Sequence, residues 1–332
     1  MNRRLVSLVL MGALLLSAAD RKKAAAALPK VGVKTPGVLI PFAKLKPEAD
    51  LAVPGATRSV FFTDAMWVGT KEGLARIDAK ANKLMEPIAE ATNVCAGMAL
   101  GFDTLWATSC STGQTVRLDA KAGKSKASFV TGASEALQGI AASADSVWIL
   151  TDKRGTLTRV DPADNKPVAQ FRVPASCNTL TFAEGSLWLT CPAEDQVLRV
   201  NPQTNIVDKY IAVPGTPRSL AVAEGSVWVL TAKEGKVAKI DPKTNKVVTT
   251  IDLAVPAGEG SIAAGAGYVW VTSKGIPLTR LDPRSDSVAQ QFVGEGGGGT
   301  VAFGLNSVWL VDANAGKVLR IDPKRVLATL AE

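Results

Sequence analysis

Short apolar runs of four to seven residues recur along this chain, separated by Gly-rich or charged turns, and residues 219–251 (SLAVAEGSVWVLTAKEGKVAKIDPKTNKVVTTI) show the unit most clearly. A first run, 219–222, turns at Glu224 and Gly225 into a second, 227–230, that carries Trp228; a third, 237–240, ends at Asp241 and Pro242, and a fourth covers 247–251. Runs of β-branched residues bounded by Gly and charge are hairpin signals, so the unit predicts four local antiparallel strands. The seven tryptophans of the chain fall at Trp67, Trp106, Trp148, Trp188, Trp228, Trp270 and Trp309, with spacings of 39, 42, 40, 40, 42 and 39 residues. A period near forty with one fixed aromatic marks a repeat architecture.

The third run recurs at 75–78, 116–119, 158–161, 198–201, 279–282 and 319–322, always ending in Asp or Asn. Five of the seven copies continue with Pro (Pro162, Pro202, Pro242, Pro283, Pro323). An Asx side chain accepts from backbone N–H groups two residues on, and Pro presets the turn dihedral. Ala79 and Ala120 replace Pro in the first two copies, which predicts looser outer turns there. Two positions before each Asx stands a cation: Arg76, Arg117, Arg159, Arg199, Lys239, Arg280 and Arg320. A feature present in every repeat is read as structural, with the stem packed between repeats and the head over an aromatic ring or a carboxylate.

Such a unit cannot bury both faces alone, and radial stacking covers them. The expectation is an all-β fold, a seven-bladed β-propeller with four antiparallel strands per blade, spanning residues 44–332. Residues 49–55 (ADLAVPG) resemble the exit of a fourth strand, so residues 44–53 are expected to pair with the seventh blade, while 326–330 offer a rival fourth strand from the other terminus. Closure by either removes an exposed edge. Residues 28–43 are expected to form an extended N-terminal arm.

Residues 1–27 stand outside the repeat. Arg3 and Arg4 precede an apolar stretch, 5–19, with small residues at its end, the pattern of a secretory signal cleaved after residue 19 or within 24–27. Its removal lowers the formal charge from +8 to +4, so nucleic acid is not an expected partner and the mature chain is not expected to insert in a membrane. Cys95 and Cys110 flank Trp106 as Cys177 and Cys191 flank Trp188, which predicts the disulfides Cys95–Cys110 and Cys177–Cys191 in an oxidising compartment, periplasmic or extracellular. The CxxC clustering of a zinc site is absent.

The 332 residues contain no histidine, which removes the commonest general base and transition-metal ligand. No catalytic residue, metal or cofactor is assigned. In a propeller, loops entering first strands and loops following second strands gather around the channel on one face. Here they bring Arg58, Gln138, Asn178, Arg218 and Glu259, with Lys153, Lys233, Lys274 and Asp312. Arg58 and Arg218 share TRS and PRS triplets, and paired guanidiniums suit carboxylate or phosphate. An enzyme would have to work with carboxylates and a divalent cation, and Glu135, Glu259 and Asp312 are its candidates. Residues 294–299 (GEGGGG) lack the GxxxxGK[ST] phosphate-loop pattern and fall between a fourth and a first strand.

In the string SVWVLTAKEGKVAKIDPKTNKVVTTI, with SVWILT, SLWLTC, YVWVTS and SVWLVD, the chain resembles the YVTN-type seven-bladed propellers of bacterial periplasms and their relative, streptogramin B lyase, over residues 50–330. The lyase resemblance implies a magnesium-assisted elimination that opens a cyclic depsipeptide, with a histidine base that no residue here can supply. The YVTN-type resemblance implies binding of proteins, envelope components or nucleic acid on the channel face. The expectation is an exported monomer that binds or scaffolds a protein partner or an anionic small molecule on its loop face; the alternative is a carboxylate-dependent lyase or hydrolase.

Overall fold

Residues 217–252 form four strands, Pro217–Ala223, Ser226–Thr231, Lys236–Asp241 and Lys246–Asp252, paired antiparallel in chain order. The structure, a computed structural model, describes residues 32–88, 91–132, 139–255 and 259–331, with residues 59, 95 and 96 described by backbone alone. The expected signal segment, 1–27, lies outside the described residues. Seven such sheets follow one another, and they form a seven-bladed β-propeller whose blades are numbered here by their tryptophans. Among the described residues no helix is long and apolar enough to cross a membrane.

All seven indoles are fully buried. Each packs forward onto the next blade: Trp188 with Val227 and Val229 of blade 5, Trp228 with Val269 and Val271 of blade 6, and Trp270 with Val308 and Leu310 of blade 7. Trp309 completes the circle against Met66 and Val68 of blade 1. Each buried indole contributes about 4–6 kcal/mol before entropy is subtracted, so a few aromatics in phase suffice.

The N-terminus closes the ring. Ala49–Ala52 pairs antiparallel with Lys317–Ile321 as the outermost strand of blade 7, with Asp50 opposite Leu319. The rival run near the C-terminus is a short helix instead, Pro323–Ala328. Asp322 caps it by accepting from Lys324 N at 2.8 Å, with Pro323 in the first turn, so the Asp-Pro that opens a β-turn elsewhere opens a helix once the fourth-strand place is taken. Upstream, Leu39–Pro41 adds a fifth strand to blade 6, parallel to Ser287–Val293, and Phe42–Leu45 follows as a 3₁₀ turn.

The outer turns follow the Asx pattern: Asp241 accepts from Lys243 N at 2.8 Å and Asn201 from Gln203 N at 2.9 Å. The looser turns expected at Ala79 and Ala120 are not found. Asp78 accepts from Lys80 N and Ala81 N at 2.7 and 3.1 Å, and Asp119 from Lys121 N and Ala122 N at 2.9 Å each. The carboxylate alone satisfies the turn, and Pro is dispensable.

The repeated cation ties blade to blade. Arg199 lies over Trp188, 5.2 Å from the ring centroid, and reaches the next outer turn at Pro242 O (2.6 Å) and Asn245 Oδ1 (2.9 Å). Arg117 does the same over Trp106 to Pro162 O, Lys239 over Trp228 to Asp286, and Arg320 over Trp309 to Ala79 O and Asn82. Arg280 of blade 6 departs from this: it lies over Tyr268 and donates to Gln290 within its own blade.

Candidate functional site

The inner strands begin at the channel mouth, and hydroxyls there stitch neighbouring blades. Thr179 Oγ1 donates to Arg218 O at 2.9 Å, Thr300 Oγ1 to Arg58 O at 3.3 Å, and Ser261 Oγ accepts from Val301 N at 2.6 Å. The first two bonds hold the backbone of Arg218 and Arg58, so both side chains project from fixed points of blades 5 and 1. Arg58, Arg218, Thr179, Ser219, Ser261 and Thr300 line one small pocket. Ser59, Thr179 and Ser219 directly follow the entry residues Arg58, Asn178 and Arg218, whereas Ser261 and Thr300 follow glycines, so only part of this hydroxyl set is marked by the entry positions in the sequence.

Glu259, on the loop leading from blade 5 into blade 6, places its carboxylate between the two guanidiniums. Oε2 accepts from Arg58 Nη2, and Oε1 lies 3.8 Å from Arg218 Nη2. The arginine side chains are about one-quarter exposed (26% and 23%), whereas Glu259 is 62% exposed. Burial lowers the Arg218 pKa, Glu259 opposes that shift, and the Arg58 charge adds to it. Two half-buried like charges therefore share one solvent-facing carboxylate. An ion pair whose carboxylate faces solvent contributes little, about 1 kcal/mol or less.

The other expected residues are distributed differently. Asn178 turns inward, its Oδ1 accepting from Thr190 Oγ1 at 3.0 Å, and so supports the mouth rather than facing it. Lys153 and Lys233 stand exposed on the loops after second strands, outside the arginine pocket. Gln138 and Glu135 lie outside the described residues. Of the carboxylates considered for catalysis, Glu259 lines a pocket between blades 5 and 6, whereas Asp312 lines a separate cleft between blades 6 and 7 and caps Asn314 N and Ala315 N at 3.0 Å each. Among the described residues no group of three or more acidic or sulfur side chains is gathered as for a metal ion.

Near the mouth, Cys177 and Cys191 form a disulfide across the entry to blade 4, with Cα atoms 3.9 Å apart. Cys110 is disulfide-bonded as well; the side chain of its expected partner, Cys95, lies outside the described residues. Within the channel, Phe61, Met98, Leu100, Ile140, Leu180 and Phe182 from blades 1–4 line a cavity of about 360 Å³ whose surface is as polar as it is apolar.

The fold and mouth define a seven-bladed propeller with a cationic channel rim. Comparison with solved structures finds chains of similar fold. Virginiamycin B lyase from Staphylococcus aureus superposes with a TM-score of 0.70 at 16% identity, over 82% of this chain and 98% of that chain. BamB from Moraxella catarrhalis gives 0.58 at 16% identity over 82% and 86%, and a chain of the mitotic checkpoint complex gives 0.71 at 11% over 85% and 96%. At these identities the likeness shows the fold alone. No protein-family model matches the chain, and no curated protein matches its sequence.

Proposed function

We propose that this chain is an exported, monomeric propeller that acts as a binding or scaffolding module, using the channel mouth at Arg58 and Arg218 to hold a carboxylate of a protein partner or of an anionic small ligand. The position of Glu259 carries the reading. A side chain of the protein itself already occupies the fork between two guanidiniums from different blades, so the fork fits a carboxylate and exposes one that an incoming acid can replace. The disulfide and the Arg3-Arg4 leader support export, and one structural neighbour comes from a protein assembly, the mitotic checkpoint complex.

Affinity capture from periplasmic extract tests this with the wild type, Arg58→Ala, Arg218→Ala and a Lys153→Ala/Lys233→Ala control. Capture should weaken in both arginine variants and persist in the control. Capture indifferent to both arginines would remove this face from consideration.

A further inference from the structure

In four blades a bulky apolar residue plugs the seam where the fourth strand hands over to the next blade, and in blade 2 Thr131 takes that place. Val53, Val173, Val213 and Leu253 directly follow the fourth strands of blades 7, 3, 4 and 5, and all four are buried. Their N–H groups bond to Gly316 O (2.7 Å), Gly155 O (2.9 Å), Asp195 O (2.7 Å) and Gly235 O (3.1 Å), which seats each side chain between two blades. Blade 6 is different. Its fourth strand, Ser287–Val293, runs into 294–299, where five of six residues are glycine.

These glycines hold a fixed shape. Gly297 has φ +86° and would place a Cβ 2.2 Å from Ser273 O, and a Cβ at Gly299 would lie 2.3 Å from Val311 O. The backbone is packed against both blades, while the valine or leucine that fills those four seams is replaced by Gly294, where a Cβ would lie 3.0 Å from Phe42 Cβ. A cleft of about 350 Å³ results, within the range of small-molecule sites. Its walls are Phe42, Pro277, Leu310 and Leu319, and its rim carries Asp50, Glu295 and Asp312 against one cation, Lys317. Lys317 is bonded to Asp50 at 3.2 Å, so the remaining charge is negative.

We propose that this cleft between blades 6 and 7 binds a small organic cation, a primary ammonium carrying an aromatic or branched hydrocarbon body. The body replaces the missing plug against Leu310 and Leu319. The ammonium sits among Glu295 and Asp312, within reach of the Phe42 ring face. This site differs from the channel mouth in place and in sign of charge, and stands whether or not the mouth binds acids.

The test titrates the protein with phenylethylammonium and with phenylacetate, similar in size but opposite in charge, while following the methyl signals of Leu310, Val311 and Leu319 by NMR. The ammonium should shift these methyls saturably and bind at least about tenfold more tightly than the acid. Glu295→Gln should weaken the ammonium about threefold. Glu295→Lys, on an exposed loop position, should weaken it about tenfold or more with the thermal midpoint unchanged. Equal binding of both ions, shifts confined to other methyls, or full affinity in Glu295→Lys would each overturn the proposal.

Discussion

Arg280 donates through Nε to Gln290 Oε1 at 2.7 Å, inside its own blade, whereas its counterparts reach across to the outer turn of the blade that follows. The cause is topological. The outer strand of blade 7 comes from the N-terminus, so that blade has no turn joining its third and fourth strands to receive the guanidinium. Gln290 stands in for the turn and passes the connection to the C-terminal helix through Val326 O (2.9 Å) and Thr329 Oγ1 (2.8 Å). Arg280 is buried, and its pKa is lowered chiefly for that reason.

Gln290→Leu therefore removes the acceptor of the buried Arg280 Nε and one of two donors to Val326 O, which keeps its bond from Thr329 Oγ1 at 2.8 Å. It should cost about 2–4 kcal/mol, read from urea unfolding midpoints, and Gln290→Glu should recover much of the loss by pairing with the charge. A leucine variant as stable as the wild type would show that the relay is unimportant.

At Arg199 the guanidinium combines a ring contact with hydrogen bonds to the next blade. Arg199→Met keeps the apolar stem and removes both, so a loss of about 2 kcal/mol is expected at equilibrium. A double mutant cycle with Asn245→Ala should show coupling of at least about 0.5 kcal/mol, because the two residues share one bond.

Glu259→Gln keeps the size of the side chain and removes its charge from between Arg58 and Arg218. Titration with a glutamate-rich peptide should give a dissociation constant several-fold lower than wild type, with the gain shrinking at high salt. Unchanged or weaker peptide binding would show that Glu259 is not in competition with the ligand.

Acid should unfold the protein through its turns. Asp78, Asp119 and Asp241 have pKa values lowered from 3.8, first of all by backbone N–H bonds at the turns. Below pH 4 the unfolded chain binds protons that the folded chain resists. These groups therefore add stability above about pH 4, and it fades as the pH falls through their lowered values. Stability measured from pH 7 to 5 should be nearly flat in this respect and should drop below 4, with a shallower drop in Asp241→Asn, which retains the turn bonds without titrating.

The Cys177–Cys191 bond closes a loop with a sequence separation of 14. Replacing both cysteines by serine should lower stability by about 3 kcal/mol in non-reducing buffer, checked by chemical denaturation. An unaltered midpoint would mean that the loop is already ordered in the unfolded chain.

Much of this molecule was written along the chain. The number of blades, the strand order within each and the place of the cations over their rings follow from residues that recur every forty positions, because each blade is a local antiparallel unit whose contacts reach only its neighbours. Arg58 and Arg218 were legible as entry residues for the same reason. Tertiary structure alone decided which terminus closes the ring, since residues 49–52 and 326–330 both offered a strand and only competition for one edge could choose. It also decided that Glu259 lies between two arginines 201 and 41 residues away, and that a run of glycines leaves a cleft open. Local periodicity specifies a repeated unit; what breaks the repeat depends on groups distant in sequence that meet only after the circle has formed.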